Sequence, residues 1–576
     1  MTPASIRVLS LLFLSLSLRP VPSSASLPLR ASWFRDRYTA REWDDTLRHF
    51  HRTMGGEIVV QRGSQLQDRS KEDIEQDYNT WVWCGTAPGG VGGESCITAT
   101  ENRANAMGLE VIRYLTYVYE EDYSDKAMIK CPQLDGKTNS SRIYYQMVLP
   151  TTESSLSDPN DPCSFKAGSK VAIVLTAFAG TDSHQLLLER AASFKEKEIS
   201  VYMGLPQITS GSVWDPVILP TYMALVERII ADHSIRYDGT WFSDAFAGYY
   251  ATDETDIGNP DPNLLAIYQM MSKNIHQNGR QLLLSPWLDA NLSQLNSSLA
   301  DHLAGWDAIA ATNPDFVAIQ EGRGTAKGSY WWKHERFAEI HQVDPTLLLI
   351  DQYLDPTVPN NQVYDLQYTF PNRLLFEAIA ERVDANAGDP TYPRLWLNVE
   401  AFEYLRTNPC LPVDPKGSGM AELLDRTTKE RIDRSLTQQS VFVSGLISFA
   451  YDSDYLCVPS GFNSSLADEI GEDGWRPVVS LVVNTTHDTT PQLSVVGLNL
   501  ESVDTFHISF LDTEKKWQQI DAPPTSFNPN WGTQNNRLPE LQEVLISFSS
   551  WSSVLHPSSP LLSVQAKDSN WACYWD

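Results

Sequence analysis

Carboxylate side chains follow several of the short apolar runs in this sequence. Glu254 comes a few residues after the fourth run, Glu321 directly after the sixth, and Glu400 at the end of the seventh. Glycosidic bond cleavage needs one carboxylic acid to protonate the leaving oxygen and a second carboxylate to attack the sugar or activate water. We predict that Glu254 is the general acid/base, that Glu400 is the nucleophile or second carboxylate, and that Glu321 assists or orients them.

Candidate substrate-binding residues lie near the same positions. An aromatic ring can stack on a sugar face and exclude water, which helps to separate the pKa values of two carboxyl groups. The sequence contains 17 Trp and 23 Tyr, although ordinary packing must account for most of them. The candidates are Asp244, Tyr249, Tyr250, Trp287, Arg323, Trp396 and Asn398. As structural alternatives, the acids can cap helices and Arg323 can pair with one of the acids.

Motifs of other chemistries are missing from the sequence. It has no GxSxG elbow, no P-loop, no HExxH helix and no close CxxC pair, which argues against acyl transfer, nucleotide chemistry and zinc. We therefore expect no cofactor and no metal. The formal net charge of −28 argues against nucleic acid and anionic membranes as partners. The expected partner is a carbohydrate or glycoside substrate, and we expect a monomer.

Short apolar strands alternate with amphipathic helical stretches, and this pattern predicts a parallel sheet of βα units. The predicted strands are residues 31–34, 57–61, 200–205, 240–250, 281–287, 316–321, 395–402 and 446–451. Eight such strands, each followed by a helix, predict an α/β fold of the (β/α)8 TIM-barrel type. Residues 346–353 compete for the seventh strand, and we interpret them as an excursion. Residues 170–178 either extend the second strand or pair inside an insertion.

Composition divides the chain into four segments. Residues 1–25 combine a basic residue, an apolar run and small residues, which predicts a secretory signal peptide. Residues 26–470 form the predicted barrel. A Cys-rich, irregular stretch at about 63–169 is predicted to be a disulfide-braced insertion over the barrel mouth. Residues 471–576 alternate apolar and polar residues without long helices, which predicts a small C-terminal β-sandwich-like domain.

Cysteines and glycosylation sequons support a secreted protein. Seven cysteines predict disulfides with one cysteine left over. Sequence proximity suggests the pairs Cys84–Cys96 and Cys131–Cys163, and Cys410 and Cys457 can tie neighbouring loops, which leaves Cys573. The sequons are at Asn139, Asn291, Asn296, Asn463 and Asn484.

The predicted strand ends resemble a known family of glycoside-hydrolase-like TIM barrels, catalogued as a domain of unknown function and present in bacteria and secreted fungal proteins. The family's Gly-Trp-Tyr-Leu-Pro-x-Glu run corresponds to GYYATDE at residues 248–254. Its other motifs correspond to Gly204-Leu205, Ser285-Pro286, QEGRG at 320–324, WLNVEAF at 396–402, and Ser448-Phe449. The resemblance covers residues 31–456 and implies a glycosidase-like site. By analogy with retaining barrel glycosidases, it implies an acid/base after strand four and a nucleophile after strand seven.

Three functions are compatible with these observations. The first is a secreted glycoside hydrolase with a carboxylate pair. The second is a secreted carbohydrate-binding protein that lacks catalysis, which predicts an aromatic groove without converging carboxylates. The third is a secreted tailoring enzyme for a small glycoside or other metabolite, which predicts a closed pocket.

Overall fold

The structure is a computed structural model of the chain, and the statements below concern the residues that it describes. These are residues 29–77, 95–118, 121–139, 142–178, 180–208, 218–293, 297–328, 332–403, 425–458, 463–473, 476–485, 492–511, 514, 516–548 and 562–575. The predicted signal peptide, residues 1–25, lies outside the described residues.

Eight parallel strands close into a barrel in the order of the chain. They are β1 (Ala31–Phe34), β2 (Ile58–Gln61), β3 (Ser200–Gly204), β4 (Phe246–Tyr250), β5 (Gln281–Leu284), β6 (Phe316–Gln320), β7 (Arg394–Glu400) and β8 (Gly445–Phe449). The barrel closes where Ala31 of β1 lies in register with Ile447 of β8. The predicted α/β class and the closed parallel barrel are therefore confirmed.

One barrel helix lies in the chain between each pair of successive strands, and another follows β8. They are α1 (Ala40–Met54), α2 (Ser183–Ser193), α3 (Ile218–Tyr237), α4 (Pro262–Gln277), α5 (Leu299–Ala310), α6 (Asn372–Ala385), α7 (Lys429–Gln439) and α8 (Leu466–Asp473). Short helices occupy the segment between β6 and α6, at Ile340–Val343, Pro345–Leu354 and Tyr364–Gln367.

Helix α1 shows how the local sequence sets the bounds of a barrel helix. The Thr39 hydroxyl accepts a hydrogen bond from the Glu42 N–H, and the Glu42 carboxylate accepts one from the Thr39 N–H, which forms a capping box. The helix ends at Gly55, whose φ of 67° is in the left-handed region that glycine adopts without strain. Its buried face consists of Trp43, Leu47, Phe50 and Met54. This apolar face packs the helix against the barrel.

Alternation along the strands separates the inside of the barrel from its helix-covered outside. In β7, Leu395 and Leu397 pack outward with the helices, whereas Trp396 packs inside the barrel. The same alternation places Trp33 of β1 and Tyr250 of β4 inside. The phase of each strand therefore decides which residues reach the barrel mouth at its carboxyl end.

An insertion between β2 and α2 supplies five strands of a six-stranded sheet, and the sixth strand, Gln207–Ile208, follows β3. In spatial order the strands of the sheet are Gly136–Asn139, Ile143–Pro150, Lys170–Phe178, Glu110–Val118, Gln65–Arg69 and Gln207–Ile208. The helices of the insertion are Lys71–Gln76, Cys96–Ala106 and Asp125–Met128. Residues 170–178 pair with two strands of this sheet and not with β2, which settles the alternative left open by the sequence.

The insertion packs against the side of the barrel along α3. The Arg228 guanidinium of α3 lies 2.8 Å from the Asp135 carboxylate, and both side chains are buried. The Thr221 hydroxyl of α3 donates a hydrogen bond to the Pro150 carbonyl at 2.7 Å. Among the described residues of this sheet, the edge formed by Gln65–Arg69 and Gln207–Ile208 follows the carboxyl ends of β2 and β3. Much of the insertion therefore covers a helix, and one edge borders the mouth.

Two four-stranded antiparallel sheets follow the barrel. One contains Val478–Asn484, Gln492–Leu498, Gln542–Ser547 and Ser526–Asn528, and the other contains Trp517–Ala522, Phe506–Leu511, Leu562–Ala566 and Cys573–Trp575. Their alternating apolar residues share one buried cluster, which includes Val495, Phe506 and Val564. The alternation in this part of the sequence thus locates the strands, and one short helix, Trp531–Gln534, interrupts them.

One predicted strand is shorter in the structure. Strand β4 begins at Phe246 and not at residue 240, because a 3-10 turn at Ser243–Ala245 precedes it. Residues 346–353 are an excursion between β6 and β7, as interpreted from the sequence, and not a seventh strand, because they belong to the helix Pro345–Leu354. Asp344 caps this helix by accepting the Leu347 N–H, and Pro345 stands at its first turn.

The cysteine predictions are confirmed in part. Cys131 and Cys163 form a disulfide, and Cys573 is a buried thiol. Cys96 and Cys457 are disulfide-bonded. Cys84, the suggested partner of Cys96, and Cys410, which was expected with Cys457 to tie neighbouring loops, lie outside the described residues.

One predicted glycosylation site is wrong. The Asn291 side chain is buried, and its amide donates a hydrogen bond to the Ala326 carbonyl, so it leaves no room for a glycan. Asn139 and Asn463 are exposed, Asn484 is half-buried, and Asn296 lies outside the described residues. No helix in the described part of the chain is long and apolar enough to cross a membrane.

Candidate active site at the barrel mouth

Polar side chains form the floor of the mouth because every second residue of a barrel strand points inward. Leu283 of β5, Ala318 of β6 and Trp396 of β7 point inward, so Ser285, Gln320 and Asn398 point inward one step further along. The Asn398 amide donates to the Ser285 hydroxyl at 3.1 Å, and the Gln320 amide donates to the Ser285 carbonyl at 3.0 Å. The Asn398 Oδ1 is buried, with no hydrogen-bond partner among the described residues.

Glu254 lies above this floor, four residues beyond the end of β4. Its side chain is exposed to solvent, and its carboxylate accepts a hydrogen bond from the Tyr250 hydroxyl at 2.9 Å. Protein atoms crowd the carboxylate on the barrel side, and this loss of hydration raises its pKa. Hydrogen bonds from Gln320 and Tyr250 and the charges of Arg62 and Lys327 offset part of that rise. A carboxyl group with a raised pKa that solvent can reach is suited to general acid catalysis.

Glu400 stands at the end of β7 in the inward phase of Trp396 and Asn398. The side chain is buried, and its carboxylate accepts the Gly324 N–H. Burial raises the pKa of Glu400 to about 7, and the Glu321 carboxylate adds to the rise. The Gly324 N–H and the charges of Arg323 and Lys327 act in the opposite direction. Glu254 and Glu400 thus follow the two strands that the sequence singled out.

Glu321 points away from the mouth because it follows the inward Gln320 by one residue. Its carboxylate accepts hydrogen bonds from the Glu400 N–H at 3.1 Å and from the Ser435 hydroxyl of α7 at 2.6 Å. The buried Arg323 guanidinium lies 3.0 Å from the same carboxylate and also donates to the Glu400 carbonyl. Glu321 and Arg323 therefore hold the backbone of Glu400 from outside the barrel and do not line the mouth.

The remaining candidate residues divide into two groups. Tyr250 points into the barrel, and Trp287 is half-buried above β5 with the Lys327 ammonium 3.6 Å from its ring centroid. Three others lie away from the mouth. Tyr249 is stacked on His233 outside the barrel, Trp396 packs against Phe316 deep inside it, and Asp244 precedes β4 at its amino end.

Two cationic residues of the mouth were missed by the sequence reasoning. Arg62 follows β2 directly, in the inward phase of Val60, and its guanidinium lies 4.1 Å from the centroid of the Phe449 ring. Lys327 follows the QEGRG turn after β6. The period-two phase of β2 was the signal that could have identified Arg62, whereas no local pattern marks Lys327.

A second group of titratable side chains lies outside the barrel. The Glu121 carboxylate of the insertion contacts His184 of α2 and His233 and Arg236 of α3. The ligand atoms of Glu121, His184 and His233 lie within 4.8 Å of one another, which is the spacing of a metal site. The Arg236 guanidinium already occupies the same carboxylate, and a second cation there would be repelled. We therefore interpret this group as an ion-pair cluster, hereafter the interface cluster.

One protein family matches part of the chain. A protein family described as a domain of unknown function (DUF8405) matches residues 69–178, which is the insertion and not the barrel. No curated protein matches the chain significantly. Among solved structures, the crystal structure of an engineered protein is similar at 10% identity with a TM-score of 0.27, over 69% of this chain and 81% of that chain. That similarity is too low to support a conclusion about fold or function.

Proposed function

We propose that this protein is a secreted glycoside hydrolase of the (β/α)8 TIM-barrel type that cleaves glycosidic bonds at the barrel mouth. Glu254 is the general acid/base and Glu400 is the second carboxylate. Glu321 is a positioning residue that acts through the backbone of Glu400. The Cys131–Cys163 disulfide supports an oxidising, extracellular setting.

The proposal is carried by the environment of Glu254. Its carboxyl group is reachable from solvent and accepts the Tyr250 hydroxyl. The Trp287 backbone N–H donates to the carbonyl of Thr255 in the same loop, so an aromatic residue after β5 is tied to the Glu254 segment. The carboxyl ends of barrel strands are where barrel enzymes carry their reactive groups. A protonated Glu254 can donate its proton to the leaving glycosidic oxygen as the bond to the anomeric carbon breaks.

Glu400 supplies the second carboxylate in this scheme. The Gly324 N–H binds one of its oxygens and the Lys327 charge favours its ionised form, so the group keeps a fixed orientation. As an anion it stabilises the positive charge that develops at the anomeric carbon, by attack on that carbon or by activation of water.

Hydrolysis of a glycan panel by the purified protein tests the proposal. The native protein should cleave at least one glycan, and Glu254→Gln should lower kcat/KM by about 10²–10⁴-fold, the usual contribution of general acid–base catalysis. Glu381→Gln, the same change at an exposed site on α6, is the control and should keep native activity. Native rates in Glu254→Gln would refute the assignment. Binding of a glycan without cleavage would favour the carbohydrate-binding alternative.

A further inference from the structure

The charges of the barrel mouth point to the class of substrate, an inference that rests on the proposed function. The chain carries 72 acidic and 44 basic residues, so most of its cations can find a carboxylate. Arg62 has no carboxylate within salt-bridge distance among the described residues, although its guanidinium lies on the Phe449 ring at the mouth. A cation that keeps its charge without a partner, in an acidic protein, is available to a ligand.

Arg35 adds a second guanidinium beside Arg62. Both residues line one cleft of about 410 Å³ at the carboxyl ends of β1 and β2. Of the other charges in that cleft, Arg37 is paired with Asp452, and the Asp36 carboxylate accepts the neutral Gln61 amide and keeps its negative charge. The cleft therefore retains an excess of positive charge.

The Arg35 guanidinium makes no hydrogen bond or ion pair within the described part of the chain. Desolvation has the largest effect on the pKa of Arg62 and lowers it, and the repulsion by Arg35 lowers it further. The charges of Tyr250, Asp454 and Asp452 act in the opposite direction.

Lys327 is a third cation on the same mouth. Its ammonium lies over the Trp287 ring, and no carboxylate lies within salt-bridge distance of it among the residues described. The charges of Lys327 and Arg62 both lower the pKa of Glu254, so both act on the proposed acid without forming an ion pair with it in the described part of the chain. The site thus combines an aromatic ring on which a sugar can stack with cations that a negatively charged group on that sugar would neutralise.

We propose that the barrel mouth binds an anionic glycan, whose carboxylate or sulfate group is held by Arg62 and Arg35 next to the sugar that Glu254 protonates. A guanidinium matches the paired oxygens of either anion by two parallel hydrogen bonds. The −28 net charge of the chain repels such a polymer at long range. A local group of cations at the mouth overcomes this repulsion only where the substrate must bind.

Binding to a Glu254→Gln variant tests this inference without any requirement for cleavage. The probes are an oligouronate, the same oligosaccharide with its carboxylates reduced to alcohols, and a sulfated oligosaccharide of equal length, measured by titration calorimetry. We expect at least one anionic probe to bind about tenfold or more tightly than the reduced one, and the preferred anion identifies carboxylate or sulfate as the source. Equal affinity for the anionic and reduced probes, or no binding of any of them, would overturn the inference.

A charge-removing variant then tests the role of Arg62. In the Glu254→Gln background, Arg62→Gln should weaken binding of the preferred anionic probe by about tenfold and leave the reduced probe unchanged. The matched control is Arg52→Gln, which removes an exposed guanidinium from α1. An equal loss in both variants would indicate non-specific attraction and contradict the inference. Cleavage of only neutral glycans by the native protein would also overturn it while leaving the proposed function intact.

Discussion

The barrel mouth and the interface cluster contain the same kinds of charged side chain in opposite arrangements. In the interface cluster, the buried Glu121 carboxylate contacts His184, His233 and Arg236, so each charge faces an opposite one. At the mouth, the Arg62 guanidinium lies against an aromatic ring, and no carboxylate is within salt-bridge distance of it in the described residues. The difference shows that a group of titratable side chains indicates a ligand site only when some of its charges have no opposite charge beside them in the protein.

The two arrangements also differ in what their charges do for the fold. Removing the partner of a buried ion lowers the free energy of unfolding by several kcal/mol, because attraction to an opposite charge no longer offsets the cost of desolvating the ion. An unpaired cation at an open mouth contributes little to the stability of the fold. A bound ligand can supply the opposite charge that the cation lacks. Substitutions can therefore distinguish the two regions by stability alone.

Removal of the central carboxylate should produce the largest loss of stability. Glu121→Gln leaves His184 and His233 buried around a neutral amide, whereas Arg236 keeps Asp182 and Asp232 as partners, so we expect the free energy of unfolding to fall by about 3 kcal/mol. Urea unfolding of the full chain measures it. Glu514→Gln, which affects the exposed Lys516–Glu514 pair, should change it by less than about 0.5 kcal/mol. Similar losses in both variants would show that the cluster does not hold the insertion on the barrel.

The hydrogen bond that holds Glu321 should give an intermediate effect. Ser435→Ala removes a buried hydroxyl that donates to the Glu321 carboxylate at 2.6 Å. Hydrogen bonds to charged groups contribute about 1.5–3 kcal/mol, so stability should fall by about that amount. If Glu321 positions Glu400, kcat should fall while the affinity for substrate stays the same. Unchanged stability and kcat would indicate that this contact has no positioning role.

The pH dependence of stability tests both regions together. Burial alone lowers the pKa of His184, but Glu121 outweighs it and the pKa is raised to about 9. The histidine contribution is therefore complete below its unfolded pKa of about 6.5 and is lost as pH rises through 9. Burial raises the pKa of Glu400 to about 7 and that of Asp253, which precedes Glu254 in the loop after β4, to about 8. The folded state thus retains protons that the unfolded state has released.

All three groups act in the same direction between pH 5.5 and pH 8. Because the folded protein binds more protons there, the free energy of unfolding should fall as pH rises, by about 1.4 kcal/mol or more, the equivalent of one pKa unit. Thermal unfolding midpoints at the two pH values provide the measurement. A midpoint that rises towards pH 8 would contradict the protonation states given to these groups.

The sequence predicted what depends on local pattern and missed what depends on tertiary contact. Alternation located the barrel strands, and the inward positions of Glu400 and Asn398 follow from the phase of β7. The same phase rule assigns Glu321 to the outside of the barrel, once Gln320 is recognised as inward. Aromatic residues before β4 suggested a longer strand, but the turn at Ser243–Ala245 breaks it.

The interface cluster could not be predicted from one sequence. Glu121 is 63 residues from His184 and 112 residues from His233, and no spacing rule connects three segments so far apart. Their meeting depends on how the insertion packs along α3, which is a property of the tertiary structure. Arg62 differs, because it comes two residues after the inward-pointing Val60, and this alternation along β2 is enough to place it at the mouth.

The smallest effect on stability is expected at Arg62, and it completes the comparison. Arg62→Gln removes a cation–π contact worth about 0.5–1 kcal/mol at an exposed site, and it also removes the repulsion with Arg35. These effects oppose each other, so the free energy of unfolding should change by less than about 1 kcal/mol in urea unfolding. A loss as large as that of Glu121→Gln would mean that Arg62 supports the fold as the interface cluster does. In that case the guanidinium would be engaged by the protein itself and would not be available to a ligand.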